Sequence, residues 1–266
     1  KDRLIAADAA APARMAVVKI PTGDTFANGV VMVPPGAGPH PTVILMHGLP
    51  GNEKNLDLAQ ILRRAGWTVV TFNYRGSWGS PGQFRFGNVL EDAKAALAFA
   101  RDPANAGPLQ IDPARIVLAG HSMGGWATLQ TAAQTKGLLG VIGISAADMG
   151  ARGGAARPGL VTMMAGNMES LAGVTPEQMA DEIIAKGSGW TFAKAAPGLA
   201  TPPLLLTSSD DGLGPASQAL AATVRQSGGK VDEVHIATDH SYSGKRIALA
   251  SAILNWLAGL QGAPKP

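Results

Sequence analysis

Apolar positions along this chain change rhythm twice, and each change marks a different kind of element. At the start they fall in two short stretches, Arg14–Ile20 and Asn28–Val33, joined through Pro21-Thr22-Gly23-Asp24. Two strand-like runs around a Gly-Asp turn predict a hairpin at the beginning of a sheet. Apolar runs follow at Thr42–Met46, Thr68–Phe72 and Arg115–Ala119, and Val141–Ser145, Pro203–Thr207 and Val231–Ile236 read as further short strands. Between them lie Asp57–Ala65, Val89–Ala100 and Trp126–Gln134, all with helical spacing; Leu90, Ala93, Leu97 and Ala100 share one face of the second. A last helix, Arg246–Leu257, is expected to put Ile247, Ile253, Leu254 and Leu257 on one side. Strands without polar alternation are covered on both faces, and helices between them imply crossover connections. The pattern predicts an α/β fold, a mostly parallel twisted sheet of about eight strands flanked by helices.

The second change lies between Ser145 and Thr201, where no strand-like run occurs. This stretch holds the Gly/Ala/Arg-rich segment Gly150–Gly159 and two short helical patterns, Pro158–Leu171 and Pro176–Ala185. A lone crossover helix needs far fewer residues. The expectation is a small helical cap, residues 148–201, inserted into one domain spanning 1–266. Five of the nine methionines (Met149, Met163, Met164, Met168 and Met179) fall there. Ordinary helix packing accounts for them; an adaptable apolar pocket is the alternative.

Composition narrows the classes. With 46% hydrophobic and 15% charged residues, the chain can build a sizeable core and is not a disordered segment. The net charge is +3 with no clustered Lys/Arg run, so neither a nucleic-acid groove nor a polybasic membrane patch is expected. Cysteine is absent, which excludes disulfides, thiolate catalysis and thiolate-bound metal. No apolar run approaches the roughly 18 residues of a membrane span. A removed secretory signal peptide, implying a secreted or periplasmic protein, would account for a chain opening on Lys1-Asp2-Arg3 without methionine; trimming would account for it equally.

Chemistry is sought at the carboxyl ends of the strands, where sheets of this kind bind ligands. Gly120-His121-Ser122-Met123-Gly124 is G-x-S-x-G placed after a predicted strand and before a predicted helix. There a serine sits on a sharp turn with its hydroxyl pushed out of the sheet, and the helix start aims N–H groups at developing negative charge. Ser122 is therefore the candidate nucleophile. In this topology an acid and then a histidine follow along the chain. Of five histidines, His40, His47 and His121 do not qualify by order or place, and His235 lies inside a predicted strand. His240, in the loop after that strand, is the candidate base. The acid belongs to the loop after Pro203–Thr207, where Asp210 and Asp211 both qualify; Asp148 is a third candidate. One of the neighbouring aspartates is expected to orient His240 and the other to cap a turn or the next helix. For an oxyanion the candidate donors are the Met123 N–H and, from His47-Gly48-Leu49-Pro50-Gly51, the Leu49 N–H. Arg75-Gly76-Ser77-Trp78, after Thr68–Phe72, is a candidate for touching substrate, but Arg75 is rather expected to hold loops together through a carboxylate such as Asp92.

These segments together resemble the α/β-hydrolase superfamily, in its dienelactone-hydrolase-like and prolyl-oligopeptidase-like branch. The resemblance rests on His47–Gly51, Asn73–Gly82, Gly120–Gly125, Ser209–Pro215 and Asp239–Ser243, and spans residues 28–258. In that family the acid commonly stands four residues before a proline that opens the next helix, which selects Asp211 against Pro215. Two features depart from it: the oxyanion loop lacks the HGGG form of lipases, and Thr238-Asp239 precedes His240 where glycine is common. Dienelactone hydrolases use a cysteine nucleophile, so their particular activity is not expected. What the resemblance implies is a serine hydrolase that cleaves small-molecule carboxylic esters through an acyl-enzyme, with no metal or organic cofactor. The rivals are a peptidase or acyl-peptide hydrolase using the same three residues, and a catalytically silent hydrolase fold that binds a ligand.

Overall fold

The computed structural model describes residues 8–260; the chain start and the tail Gln261–Pro266, expected to be loose, lie outside the described residues. Eight strands form one sheet in the order β1-β2-β4-β3-β5-β6-β7-β8. They are β1 (Arg14–Thr22), β2 (Thr25–Val33), β3 (His40–Met46), β4 (Thr68–Phe72), β5 (Ile111–His121), β6 (Gly140–Ile144), β7 (Leu204–Ser208) and β8 (Val231–His235). The hairpin pairs β1 with β2 and joins β4 antiparallel, while β4, β3 and β5 through β8 run parallel. Gly23 sits at the first position of the two-residue hairpin turn with φ +57, where L side chains are disfavoured.

Helices cover both faces. Along each parallel strand alternate residues face opposite layers, as a period of two requires. Ile44, Met46, Val70, Ile116 and Leu118 pack against α2 (Phe86–Arg101), with the short α3 (Pro103–Ala106), and against α4 (Met123–Ala132). Val43, Leu45, Val69, Val117 and Ile142 pack under α1 (Leu56–Arg64) and, from the end of the chain, the C-terminal helix. Both faces being apolar is why β3, β4, β6 and β7 read as largely apolar runs, whereas the edge strand β8 leaves Asp232, Glu233 and His235 exposed.

Between β6 and β7 the regular elements are all helical: α5 (Arg157–Ala165), α6 (Pro176–Lys186), α7 (Phe192–Ala195) and three short 3-10 turns. The predicted helix Pro158–Leu171 is therefore cut short at Ala165, where Gly166-Asn167 follows and turns the chain. Leu171 instead bridges Ser77 in an isolated antiparallel pair. α6 begins with a reciprocal capping box, Thr175 accepting from the Gln178 N–H and Gln178 accepting from the Thr175 N–H. Of the five methionines, Met149, Met164 and Met179 are buried in the main core, and Met163 and Met168 pack against its edge. The last helices are α8 (Gly214–Gln226) and α9 (Arg246–Ala258). α9 turns inward Leu249, Ala250, Ile253 and Leu257. Ile247, expected on that face, is 83% exposed, because the inward stripe starts two residues later.

The loop between β4 and α2 is anchored by a buried ion pair. Arg75 Nε lies 2.6 Å from Asp92 Oδ1, and the Arg75 backbone N–H donates to Asp92 Oδ2 at 2.8 Å. Thr22 donates to the same carboxylate at 2.7 Å, tying in the hairpin. Burial pushes the Asp92 carboxyl up in spite of these donors. Removing one partner of such a pair leaves an uncompensated buried charge, at about 3–5 kcal/mol.

Candidate active site

Local sterics build the turn at Ser122. The residue holds φ 57 and ψ −120 between β5 and α4, a conformation that costs a non-glycine residue about 1–3 kcal/mol. Its backbone is pinned on both sides: the Ser122 N–H donates to Ile144 O at 2.9 Å, and the Ala147 N–H donates to Ser122 O at 3.1 Å. The flanking glycines are required for space. A Cβ on Gly120 would meet Thr128 Oγ1 at 2.6 Å and the Gly124 carbonyl closer still; one on Gly124 would meet His47 O at 2.5 Å. α4 begins directly at Met123, three residues earlier than its apolar spacing predicts, because glycines at its start carry no apolar signal.

The loops after β7 and β8 bring an acid and an imidazole together. His240 Nδ1 lies 2.7 Å from Asp211 Oδ2, with the Asp211 side chain 6% exposed and that of His240 38%. The other oxygen of Asp211 accepts from the Leu213 N–H at 2.9 Å. Burial raises the Asp211 carboxyl, but donors from His240, Leu213, Ser209 and Ser145 outweigh it and hold the group below the ordinary aspartate range. The Asp211–His240 pair stands next to the elbow. The His240 ring lies 4.6 Å from that of His121, and His121 Nε2 donates to the His240 carbonyl at 2.9 Å. Burial, then the neighbouring His240, push His121 down to about 4, so it is neutral near pH 7. Ser122 Oγ itself makes no hydrogen bond among the described residues, His240 included; catalytic contacts of this kind are often long or misaligned until substrate is bound.

Two backbone N–H groups beside the elbow are left without an acceptor. Neither the Met123 N–H nor the Leu49 N–H has an acceptor among the described residues. The loop carrying Leu49 abuts the elbow, since a Cβ on adjacent Gly48 would stand 2.9 Å from Ser122 Cβ. His47, behind the loop, is fully buried; burial lowers it to about 4, and its Nδ1 donates to Gly48 O at 2.8 Å.

The structure separates the acid candidates. Asp210 lies 3.2 Å from His235 Nε2 on the surface and caps no helix among the described residues, so the expected division of roles between the two aspartates is corrected: Asp211 both meets His240 and holds its own turn. Asp148 accepts from the Ala151 and Phe192 N–H groups and orders the chain after β6. Arg75 pairs with Asp92, as expected. What the residue pattern did not disclose is a buried hydroxyl cluster behind Asp211. Tyr242 OH bonds Ser145 Oγ at 2.9 Å and Thr207 Oγ1 at 3.0 Å, and Ser145 Oγ bonds Ser209 Oγ at 3.0 Å. The available signal was hydroxyl residues at the ends of β6 and β7, but serines there look like ordinary turn residues.

A model of the alpha/beta hydrolase family matches residues 43–251, most of the chain and all the segments that build this site. The chain belongs to the alpha/beta hydrolase family. Among curated relatives, the quorum-quenching protein AidA of Acinetobacter baumannii (strain MDR-ZJ06) is 37% identical over 109 residues, 38% of this chain and 34% of that protein. The chain thus matches about a third of the length of such relatives. Solved structures cover more of it. The Pyrococcus horikoshii acylaminoacyl peptidase aligns with TM-score 0.73 and 17% identity, over 95% of this chain and 42% of that one. The carboxylesterase EstE1, cloned from a metagenomic library, aligns with TM-score 0.66 and 22% identity over 94% and 91%. These alignments establish a shared fold for this alpha/beta hydrolase.

Proposed function

We propose that this alpha/beta hydrolase is a serine esterase that cleaves carboxylic esters of small molecules. The observation that carries the reading is the 2.7 Å pairing of His240 with a nearly buried Asp211, beside a serine held in the strained elbow conformation. In this mechanism His240 takes the Ser122 proton as the hydroxyl attacks the ester carbonyl. Asp211 fixes the tautomer with Nδ1 protonated, leaving Nε2 as the accepting nitrogen, and balances the imidazolium that forms. The Met123 and Leu49 N–H groups bind the tetrahedral oxyanion. Collapse expels the alcohol, protonated by His240, and leaves an acyl-enzyme; water activated by His240 then releases the acid. Acidic groups at the strand ends are already engaged, Asp148 with backbone N–H groups and Asp210 with His235. None of these supplies an acid pair for a free amino terminus, which favours esters over peptides. Ser122→Ala is expected to abolish p-nitrophenyl acetate hydrolysis and fluorophosphonate labelling with an unchanged circular dichroism spectrum. Unaltered turnover in the pure variant overturns the reading, and faster cleavage of amino-acid p-nitroanilides than of p-nitrophenyl esters replaces it with a peptidase.

A further inference from the structure

The loop that carries Leu49 is gripped by side chains from two other segments of the chain. The Pro50 carbonyl accepts two hydrogen bonds, from Trp78 Nε1 at 2.7 Å and from Ser170 Oγ at 2.8 Å. One donor comes from the loop after β4, the other from the helical segment between β6 and β7. The two donors are also locked to each other, since the Trp78 N–H donates to Ser170 O at 3.0 Å and Ser77 bridges Leu171. Trp78 itself holds φ 48, and the Lys54 ammonium lies 4.0 Å above its ring. Gly51 is wedged below them: a Cβ there would stand 2.9 Å from Trp78 Nε1 and would strike the His47 ring. The turn 48–51 is thus pressed between the Ser122 elbow on one side and Trp78, His47 and Ser170 on the other.

We infer that Trp78 and Ser170 are positioning residues for the oxyanion donor, so that the helical segment fixes the Leu49 N–H by holding the Pro50 carbonyl. The inference rests on the serine-esterase reading, under which an N–H displaced by a fraction of an ångström binds the transition state less well while substrate binding is little changed. A carbonyl with both acceptor positions filled by rigidly mounted donors does not need the Ser122 side of the loop to hold its place, which leaves the Leu49 N–H free for an oxyanion.

The test uses the full chain with Trp78→Phe, Ser170→Ala and the double variant. Each single variant is expected to lower kcat for p-nitrophenyl acetate about tenfold with KM within twofold, and the double variant further. Affinity for a boronic acid, which forms a tetrahedral adduct on Ser122, falls in the same proportion as kcat/KM. Ser170→Thr, which keeps the hydroxyl, restores at least half the activity. Amide hydrogen exchange over 47–53 accelerates in the double variant and is unchanged over the central strands. A double variant with kcat within twofold of the parent, or a loss confined to KM, overturns the assignment. If the parent protein neither turns over esters nor labels with fluorophosphonate, the esterase reading fails instead; the exchange measurement then still decides whether the grip on Pro50 exists, and unchanged exchange removes it too.

Discussion

Two acid–imidazole pairs sit within a few residues of each other, each joining the loop after β7 to the end of β8 or the loop beyond it, and they are built differently. Asp210 and His235 meet at 3.2 Å with side chains 61% and 55% exposed. Asp211 and His240 meet at 2.7 Å, with the carboxylate nearly sealed and backed by the Ser145, Ser209 and Tyr242 hydroxyls. Residue types and spacing are almost the same in both. The difference is what stands behind the carboxylate: water for Asp210, a fixed donor set for Asp211. An exposed pair exchanges solvent hydrogen bonds for protein ones at little net gain. A sealed carboxylate keeps a defined orientation, so it fixes both the tautomer and the direction of the imidazole it meets.

The largest expected effect separates the pairs outright. Asp211→Asn is expected to lower kcat for p-nitrophenyl acetate about 10³–10⁴-fold, because an amide no longer enforces the productive imidazole tautomer, while Asp210→Asn stays within twofold. Equal losses in a steady-state assay would erase the distinction.

Next in size is a pH effect from the imidazoles buried around the site. His47 and His121 are both lowered from 6.5 to about 4 in the folded protein. The unfolded chain therefore binds protons between pH 6.5 and 4 that the folded chain refuses. Stability is full above 6.5, falls with pH through that window, and this contribution levels off below about 4, each ring accounting for roughly 3 kcal/mol. Urea unfolding of the parent across pH 4–7 should show the fall, and His121→Asn should flatten about half of it. An unchanged slope in the variant would mean that His121 protonates in the folded state.

The donors behind Asp211 come third. Tyr242→Phe removes the hydroxyl that joins Ser145 to Thr207 and leaves both without that partner. It should cost about 1–3 kcal/mol of stability by thermal denaturation, and about tenfold in kcat as the acid loses its fixed orientation. A stability loss with kcat untouched would reduce the cluster to structural filler. Smallest of all, His235→Gln should change stability by less than about 0.5 kcal/mol and leave turnover unchanged, as expected of a surface pair; a larger shift in denaturant midpoint would show that this pair is more than solvated surface.

Much of the scaffold is legible in the sequence. The parallel strands declare themselves because both faces of the sheet are covered, and the hairpin because Gly23 marks its turn. Errors cluster where local pattern and burial part company. Ile247 is apolar yet points outward, since helical periodicity allows neighbouring stripes and only packing against the sheet chooses one. The predicted helix Pro158–Leu171 ends early because residues 170–172 find backbone partners on the loop at Gly76–Trp78, contacts that no local propensity encodes.

The elbow is a local object. Gly120, Ser122 and Gly124 are close in the chain, and the turn they make is dictated by steric exclusion among neighbours, so sequence alone determined it along with the order of strands and helices around it. The sealing of the Asp211 carboxylate, the hydroxyls behind it and the grip on Pro50 depend on atoms from segments far apart, such as Ser145 with Tyr242 across 97 residues and Pro50 with Ser170 across 120. Only tertiary structure decided these, because hydrogen bonds are directional over about 3 Å and a one-dimensional pattern does not specify which distant groups arrive at that distance.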